Sequence, residues 1–117
     1  MRVAIHSILR PGQEEAYEQV HATIPPEMAE SLQAAGISNW SIWRSGRDLF
    51  HLVDSEDFTA AMATLADDPV NQCWQEQMAG YVERLVEQED GPDALALSEV
   101  WTLAQQLRGQ AASASEA

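Results

Sequence analysis

The sequence has no lysine, and its positive charge comes from six arginines alone. It has 19 acidic residues, so the formal net charge is −13 at pH 7. A nucleic-acid-binding protein needs a basic stripe that faces the phosphates, and a protein that binds anionic membranes needs basic clusters. The composition therefore predicts neither nucleic acid nor a membrane surface as a partner. A neutral small molecule fits it best.

Cysteine and long apolar runs are scarce as well. The single Cys73 excludes an intrachain disulfide framework and a cysteine-rich metal site. No apolar run approaches the roughly 20 residues that span a bilayer. The first residues lack the charged, apolar and small-residue order of a signal peptide. We therefore expect a soluble, cytoplasmic protein.

The apolar content is sufficient for one folded domain. The chain has 117 residues, 45% of them hydrophobic, and four tryptophans. After residue 104 the large apolar residues are almost lost. We predict a single domain over residues 1–104 and a flexible C-terminal tail over residues 105–117.

Strand-like and helix-like segments alternate along the chain. Asp68 followed by Pro69 is typical of a helix start, as is Ser55 before two acidic residues. We predict strands at residues 3–9, 37–44, 48–54 and 98–103, and helices at residues 13–35 (broken at Pro25-Pro26), 55–66 and 68–85. Residues 87–92 are predicted to form an acidic loop.

The order β-α-β-β-α-β predicts a ferredoxin-like α+β fold, an antiparallel four-stranded sheet with helices on one face. The second and third strands carry apolar or aromatic residues at nearly every position, which indicates that both of their faces are buried. Because the helices can cover only one face, we expect a homodimer in which a second copy covers the other.

Tyr17 and His21 lie four residues apart in a helical segment, so they share one helix face. The prolines at positions 25 and 26 lack the N–H groups that a continuing helix would offer to the carbonyl of His21. This placement in the last turn should hold the pKa of His21 at or above its free value. The hypothesis is an acid–base group; the commoner interpretation of this spacing is a partly exposed histidine at a helix end.

Trp40, Trp74 and Gln75 could converge with this pair in one pocket. Sugar sites often combine an aromatic face, which stacks on the C–H side of the ring, with groups that bind its oxygens. Tryptophans at such spacings are nevertheless more often part of a core.

Three further candidates are assigned structural roles. His6 and His51 fall on neighbouring strands, but zinc needs three or four ligands, so we expect histidines whose hydrogen bonds are satisfied within the sheet. Cys73 has no nearby cation that would lower its pKa, and we expect a buried, inert thiol. No metal site is predicted.

Four blocks in order along the chain resemble the L-rhamnose mutarotase family. They cover nearly the whole chain up to about residue 103, which is more specific than any single motif. The blocks are Y-x-x-x-H with a following P-E pair (residues 17–27), A-G-I-S-N-W-S-I-W (35–43), D-D-P-V-N-Q-C-W-Q-E-Q-M (67–78) and S-E-V-W-T-L (98–103).

This resemblance implies a dimeric α+β barrel protein that interconverts α and β anomers of L-rhamnose without metal or organic cofactor. It implies His21 as the proton donor, Tyr17 and Trp40 as sugar contacts, and Trp74 and Gln75 at the positions of a tryptophan pair. Gln75 departs from that pair, and Pro25 replaces the tryptophan of the family's W-P-E block. The departures put the preferred sugar in doubt, and L-fucose or another 6-deoxy hexose is an alternative.

Two other functions stay open from the residues. One is a cofactor-free monooxygenase of the dimeric α+β barrel type that acts on aromatic polyketides, which the interior rich in tryptophan and methionine would allow. The other is a ligand-binding module without catalysis.

Overall fold

Strands and helices alternate within residues 1–89 and 95–116, which are the residues that the computed structural model describes. The elements are β1 (Arg2–Leu9), α1 (Glu14–Val20), α2 (Pro26–Ala34), β2 (Ile37–Ser45), β3 (Asp48–Ser55), α3 (Phe58–Ala66), α4 (Pro69–Met78), β4 (Val82–Leu85) and α5 (Leu103–Glu116).

The four strands form one antiparallel sheet in the order β2-β3-β1-β4. β1 pairs with both β3 and β4, and β2 pairs with β3 across a two-residue turn. Gly46 lies in this turn at φ +59, a backbone conformation that glycine adopts without steric cost. The predicted ferredoxin-like α+β fold is confirmed.

The two faces of the sheet differ because successive side chains of a strand point to opposite sides. In β1, Val3, Ile5, Ser7 and Leu9 are buried, while the residues between them are only half-buried. We call the side with these four residues the inner face. The opposite side, which carries His6, is the outer face. Two core clusters lie on the inner face, one against α3 and one against α1 and α4.

The start of α4 agrees with the sequence prediction, and the start of α3 differs from it. The Asp68 side chain accepts a hydrogen bond from the Val70 N–H at 2.9 Å, with Pro69 in the first turn, as predicted. The prediction of Ser55 as the cap of α3 is wrong. Asp57 is the cap, and its carboxylate accepts from the Ala60 N–H at 3.0 Å. Ser55 instead ends β3 in the sheet.

The fourth strand lies at a different place from the predicted one. The helix predicted to continue to residue 85 ends at Met78, before Gly80, and Val82–Leu85 then pairs with β1. Residues 98–103, the predicted closing strand, form no strand. Ala96 forms an isolated bridge with Ile5, which extends the pairing along the same side of β1. Residues 87–89 of the predicted acidic loop have no regular structure, and 90–92 lie outside the described residues.

The C-terminal residues form α5 where the sequence predicts a frayed tail. Its side chains from Leu103 to Ala112 are exposed, and Leu107 is 52% accessible. The domain boundary at residue 104 stays a prediction. Neither α5 nor any other helix of the described residues is long and apolar enough to cross a membrane.

Candidate active site

His21 stands at the C-terminal end of α1. The helix ends at Val20, so His21 follows the last turn, one step beyond its predicted position within that turn. Its backbone N–H donates to the carbonyl oxygen of Tyr17 at 3.1 Å. The ring Nδ1 lies 3.1 Å from the same oxygen. A carbonyl can only accept, so Nδ1 carries a proton there and Nε2 is the nitrogen left for proton exchange.

Two aromatic side chains hold the imidazole of His21. The Tyr17 ring stacks on it, with centroids 4.0 Å apart and an interplanar angle of 28°. Trp74 of α4 meets it edge-on at 5.3 Å and 71°. The pair predicted from the sequence spacing and the tryptophan of the later helix therefore meet in space.

Burial changes the proton affinities of this pair. It lowers the pKa of His21 below 6.5, and the hydrogen bond to the Tyr17 carbonyl opposes that shift only in part. The sequence-based expectation of a pKa at or above the free value is therefore wrong. It considered the helix end and left out the two aromatic rings, which remove water from the imidazole. Burial also raises the pKa of the Tyr17 phenol to about 12, so this hydroxyl keeps its proton at neutral pH.

A cleft of about 1260 Å³ opens between the inner face and the helices. It exceeds the roughly 300–1,000 Å³ usual for small-molecule pockets, because part of it is open to solvent. All five residues that the sequence analysis singled out line it: Tyr17, His21, Trp40, Trp74 and Gln75. Their convergence makes this cleft the candidate site.

The floor of the cleft contains polar residues that sequence reasoning missed. His51 of β3 lies with Nε2 2.8 Å from the Ser7 hydroxyl of β1, and the Trp40 indole Nε1 donates to His51 Nδ1 at 3.1 Å. Burial, followed by the nearby charges of His21 and His6, lowers the pKa of His51 to about 4. The signal available in the sequence was that Ser7 and His51 take inward positions in otherwise apolar strands.

The family model for L-rhamnose mutarotase matches residues 2–103. The chain belongs to the L-rhamnose mutarotase family. As a member of this family it is a sugar mutarotase, an isomerase. This result favours the isomerase over the monooxygenase and over the binding module without catalysis.

Individual relatives agree with the family match. An L-rhamnose mutarotase of Listeria monocytogenes is 36% identical over 105 residues, which cover 88% of this chain and 98% of the relative. The crystal structure of an L-rhamnose mutarotase from Formosa agariphila superposes with a TM-score of 0.69 at 26% identity, over 88% of this chain and 98% of that one. A polyketide cyclase from Streptomyces glaucescens, tetracenomycin F2 cyclase, has a TM-score of 0.61 at 16% identity, over 87% and 95% of the two chains. The last likeness concerns the fold alone.

Gln75 marks a departure from the tryptophan pair implied by the resemblance to this mutarotase family. Its side chain is exposed at the rim of the cleft, where Nε2 donates to Asn71 Oδ1 at 3.3 Å. Asn71 is buried, and its amide donates to the Leu65 carbonyl at 2.9 Å. Asn71 is thus a further residue of the cleft wall that sequence reasoning missed.

The remaining candidates of this mutarotase-family chain lie away from the centre of the cleft. His6, on the outer face, contacts the Asp48 carboxylate at 2.8 Å and stacks on Phe50. His6 and His51 both have hydrogen-bond partners, as predicted. Cys73 is exposed, so the prediction of a buried thiol is wrong; it lies on the side of α4 that faces solvent. Within the described ranges, no three side chains of the metal-binding types are arranged to hold a metal ion.

Proposed function

We propose that this chain interconverts the α and β anomers of L-rhamnose and that His21 is the proton donor. The observation that supports this most is the setting of His21. Its Nδ1 is held by the Tyr17 carbonyl at 3.1 Å, and its ring lines a cleft large enough to admit a monosaccharide, beside Trp74. One nitrogen is thereby left for proton exchange with a ligand.

The reaction consists of two modest proton transfers. The anomeric hydroxyl loses its proton, the C1–O1 bond becomes a carbonyl, the bond between C1 and the ring oxygen breaks, and the ring oxygen takes up a proton. The open-chain aldehyde turns about the C1–C2 bond, and the reverse steps close the ring with the other configuration at C1. Such transfers gain about 10²- to 10⁴-fold from a positioned acid–base group.

The lowered pKa of His21 suits the role of donor. Its imidazolium form is a stronger acid than a free imidazolium, because the half-buried ring gives up its proton more readily. The protonated fraction falls as pH rises through a pKa below 6.5. If imidazolium is the donor, the catalysed rate should fall over the same range, at lower pH than a free imidazole would require.

The other cleft residues are proposed to hold the sugar. Trp74 offers an aromatic wall next to His21, and Trp40 offers a second one from β2. In the described part of the chain the Tyr17 hydroxyl has no hydrogen-bond partner and lines the cleft, so it is available to a sugar oxygen. Gln75 is proposed as an amide contact at the rim.

A homodimer is proposed because, within residues 1–89 and 95–116, large aromatic side chains of the outer face are exposed. Trp43 is 56% exposed and Phe50 41% exposed on that face, and the two residues pair across β2 and β3, so their exposed rings lie next to each other. A second copy that covers this face would bury both side chains. The cytoplasmic location stays a prediction from the sequence.

The test is anomer exchange in a His21→Ala variant, measured by saturation-transfer NMR on L-rhamnose. We expect the catalysed rate to fall by about 10²-fold or more while circular dichroism stays unchanged. The matched control is His6→Ala, which removes an imidazole from the outer face and should keep the rate. A His21→Ala protein with full exchange would refute the donor assignment. Parallel runs with L-fucose and D-glucose establish which sugar is preferred.

A further inference from the structure

A chain of three hydrogen-bonding residues lies in the floor of the cleft, on three neighbouring strands. The Trp40 indole N–H donates to His51 Nδ1 at 3.1 Å, and His51 Nε2 lies 2.8 Å from the Ser7 hydroxyl. An indole nitrogen can only donate, so Nδ1 of His51 must be the unprotonated nitrogen. The neutral ring then carries its proton on Nε2 and donates it to Ser7.

The surroundings of His51 keep the ring neutral. A second proton on Nδ1 would point at the indole N–H of Trp40, with a donor facing a donor. Burial also disfavours the charged ring, and its pKa falls to about 4, with His21 and His6 as the charged neighbours that add to the effect. The direction of donation, from Trp40 through His51 to Ser7, is therefore fixed at neutral pH.

This series of hydrogen bonds ends at the Ser7 hydroxyl, whose own proton is not used in it. Ser7 is 1% exposed and lines the cleft. Across residues 1–89 and 95–116, the only hydrogen-bond partner of its hydroxyl is His51, which uses a lone pair of the oxygen. A buried hydroxyl that donates to nothing costs about 1–3 kcal/mol, so its proton should find an acceptor.

We propose that the Ser7 hydroxyl donates a hydrogen bond to an oxygen of the bound sugar and that His51 is the positioning residue that fixes this direction. The inference rests on the proposed function, since it takes the cleft as the sugar site. It also assigns Trp40 a second role. Its N–H is engaged by His51, so Trp40 meets the sugar through its ring, and the polar contact passes to Ser7.

The first test reads the tautomer directly. Nitrogen-15 NMR of the imidazole rings should show His51 as the neutral tautomer with its proton on Nε2 from pH 8 down to about 5.5. A proton on Nδ1, or a titration midpoint near 6.5, would overturn the assigned direction. His21, with its proton on Nδ1, provides the opposite signature in the same spectrum.

The second test measures the affinity for L-rhamnose by NMR titration. Loss of one hydrogen bond of about 0.5–1.5 kcal/mol weakens binding roughly 2- to 13-fold, and we expect about fivefold for Ser7→Ala. The matched control is Ser41→Ala, which removes a hydroxyl from the outer face of β2 and should leave the affinity unchanged. A Ser7→Ala protein that binds as tightly as the unaltered chain would overturn the proposal.

Variants of His51 separate positioning from mere packing. His51→Leu should weaken binding as much as Ser7→Ala does, and the double variant should lose no more than either single variant, because all three break the same chain. His51→Gln keeps one donor and one acceptor, and we expect it to restore most of the affinity. Additive losses, or no recovery with glutamine, would contradict a positioning role.

This measurement is independent of the donor assignment. Because it reads binding, it keeps its meaning even if His21→Ala retains anomer exchange. Conversely, if Ser7→Ala leaves binding unchanged while His21→Ala loses anomer exchange, only the Ser7 contact is refuted.

Discussion

The two faces of the one sheet differ in how far their side chains are buried. Leu49 is fully buried on the inner face, while its neighbour Phe50 is 41% exposed on the outer one. The inner face contains the cleft and both core clusters, and the outer face carries partly exposed aromatic side chains. A strand that alternates between them thus places cleft residues on one side and exposed aromatic residues on the other.

The two strand histidines show the same division. Ile5 pairs with His51 and His6 pairs with Phe50, so the imidazoles point to opposite sides of the sheet. His51 is bound by the neutral partners Ser7 and Trp40, whereas His6 contacts the Asp48 carboxylate. The same residue type is kept neutral on one face and offered an anionic partner on the other.

The strongest test of the division compares Leu49→Ala with Phe50→Ala. Removing the buried Leu49 side chain should lower the free energy of unfolding by about 2–5 kcal/mol. Removing Phe50 should instead weaken self-association. Chemical denaturation at low concentration and sedimentation at several concentrations measure the two effects. Equal losses of unfolding free energy, with unchanged sedimentation, would mean that the outer face is no interface.

A second test uses pH. The unfolded chain takes up a proton at His51 below about pH 6.5, but the folded chain does so only below about 4. The stability due to the neutral ring is therefore complete above pH 6.5 and is lost as pH falls to about 4, by about 3 kcal/mol. Asp54 and Asp68 have pKa values below 3.8, so their stabilising contributions are lost at lower pH.

Thermal unfolding between pH 8 and 4 gives the slope for this test. His51→Gln should reduce it and leave the part due to His21, whose pKa is also lowered. Phe50→Gln, one residue away on the outer face, should keep the full slope. If His51→Gln retains the slope of the unaltered chain, His51 is not the group responsible.

The third test concerns two neighbours in α4. Trp74 touches the His21 ring, whereas Gln75 is exposed at the rim. We expect Trp74→Ala to weaken L-rhamnose binding about tenfold, since an aromatic contact contributes about 0.5–1.5 kcal/mol beyond its buried area. Gln75→Ala should cost less than threefold. Isothermal titration on both variants decides, and a larger loss at Gln75 would move the centre of the site to the rim.

The smallest effect is expected at the C-terminus. Deleting residues 105–117 removes most of α5, whose side chains from Leu103 to Ala112 are exposed. The melting temperature should change by less than about 2 °C, because little buried area is lost. Calorimetry checks this, and a clearly lower melting temperature would place the domain boundary beyond residue 104.

The order of elements followed from local sequence, whereas the exact fourth strand did not. Alternation in β1, the glycine turn between β2 and β3, and the cap at Asp68 are all signals within a few residues. Val82–Leu85 is only four residues long and pairs with β1, which lies more than 70 residues earlier. A strand of that length is specified by its partner, which local patterns do not contain.

The same dependence on distant segments explains why the candidate site was only partly predicted. Tyr17 and His21 could be paired from their spacing, and Trp40 and Trp74 were candidates for the same pocket both as aromatic residues and through the family resemblance. Ser7 and His51 come together only through the register of two strands, and that register also sets which face each occupies. The pKa of His21 could not be judged from its helix either, since the shielding ring of Trp74 comes from a distant segment.

The contacts that hold the imidazole of His21 bear on whether the side chain or the sugar moves during the reaction. One nitrogen lies 3.1 Å from a backbone carbonyl and an aromatic ring stacks on its face, so turning the side chain would break both contacts. Under the proposed donor role, ring opening and reclosure would use the same free nitrogen, Nε2. The group that rotates would then be the aldehyde of the open-chain sugar. The cleft is wide enough for the aldehyde to present either side of C1.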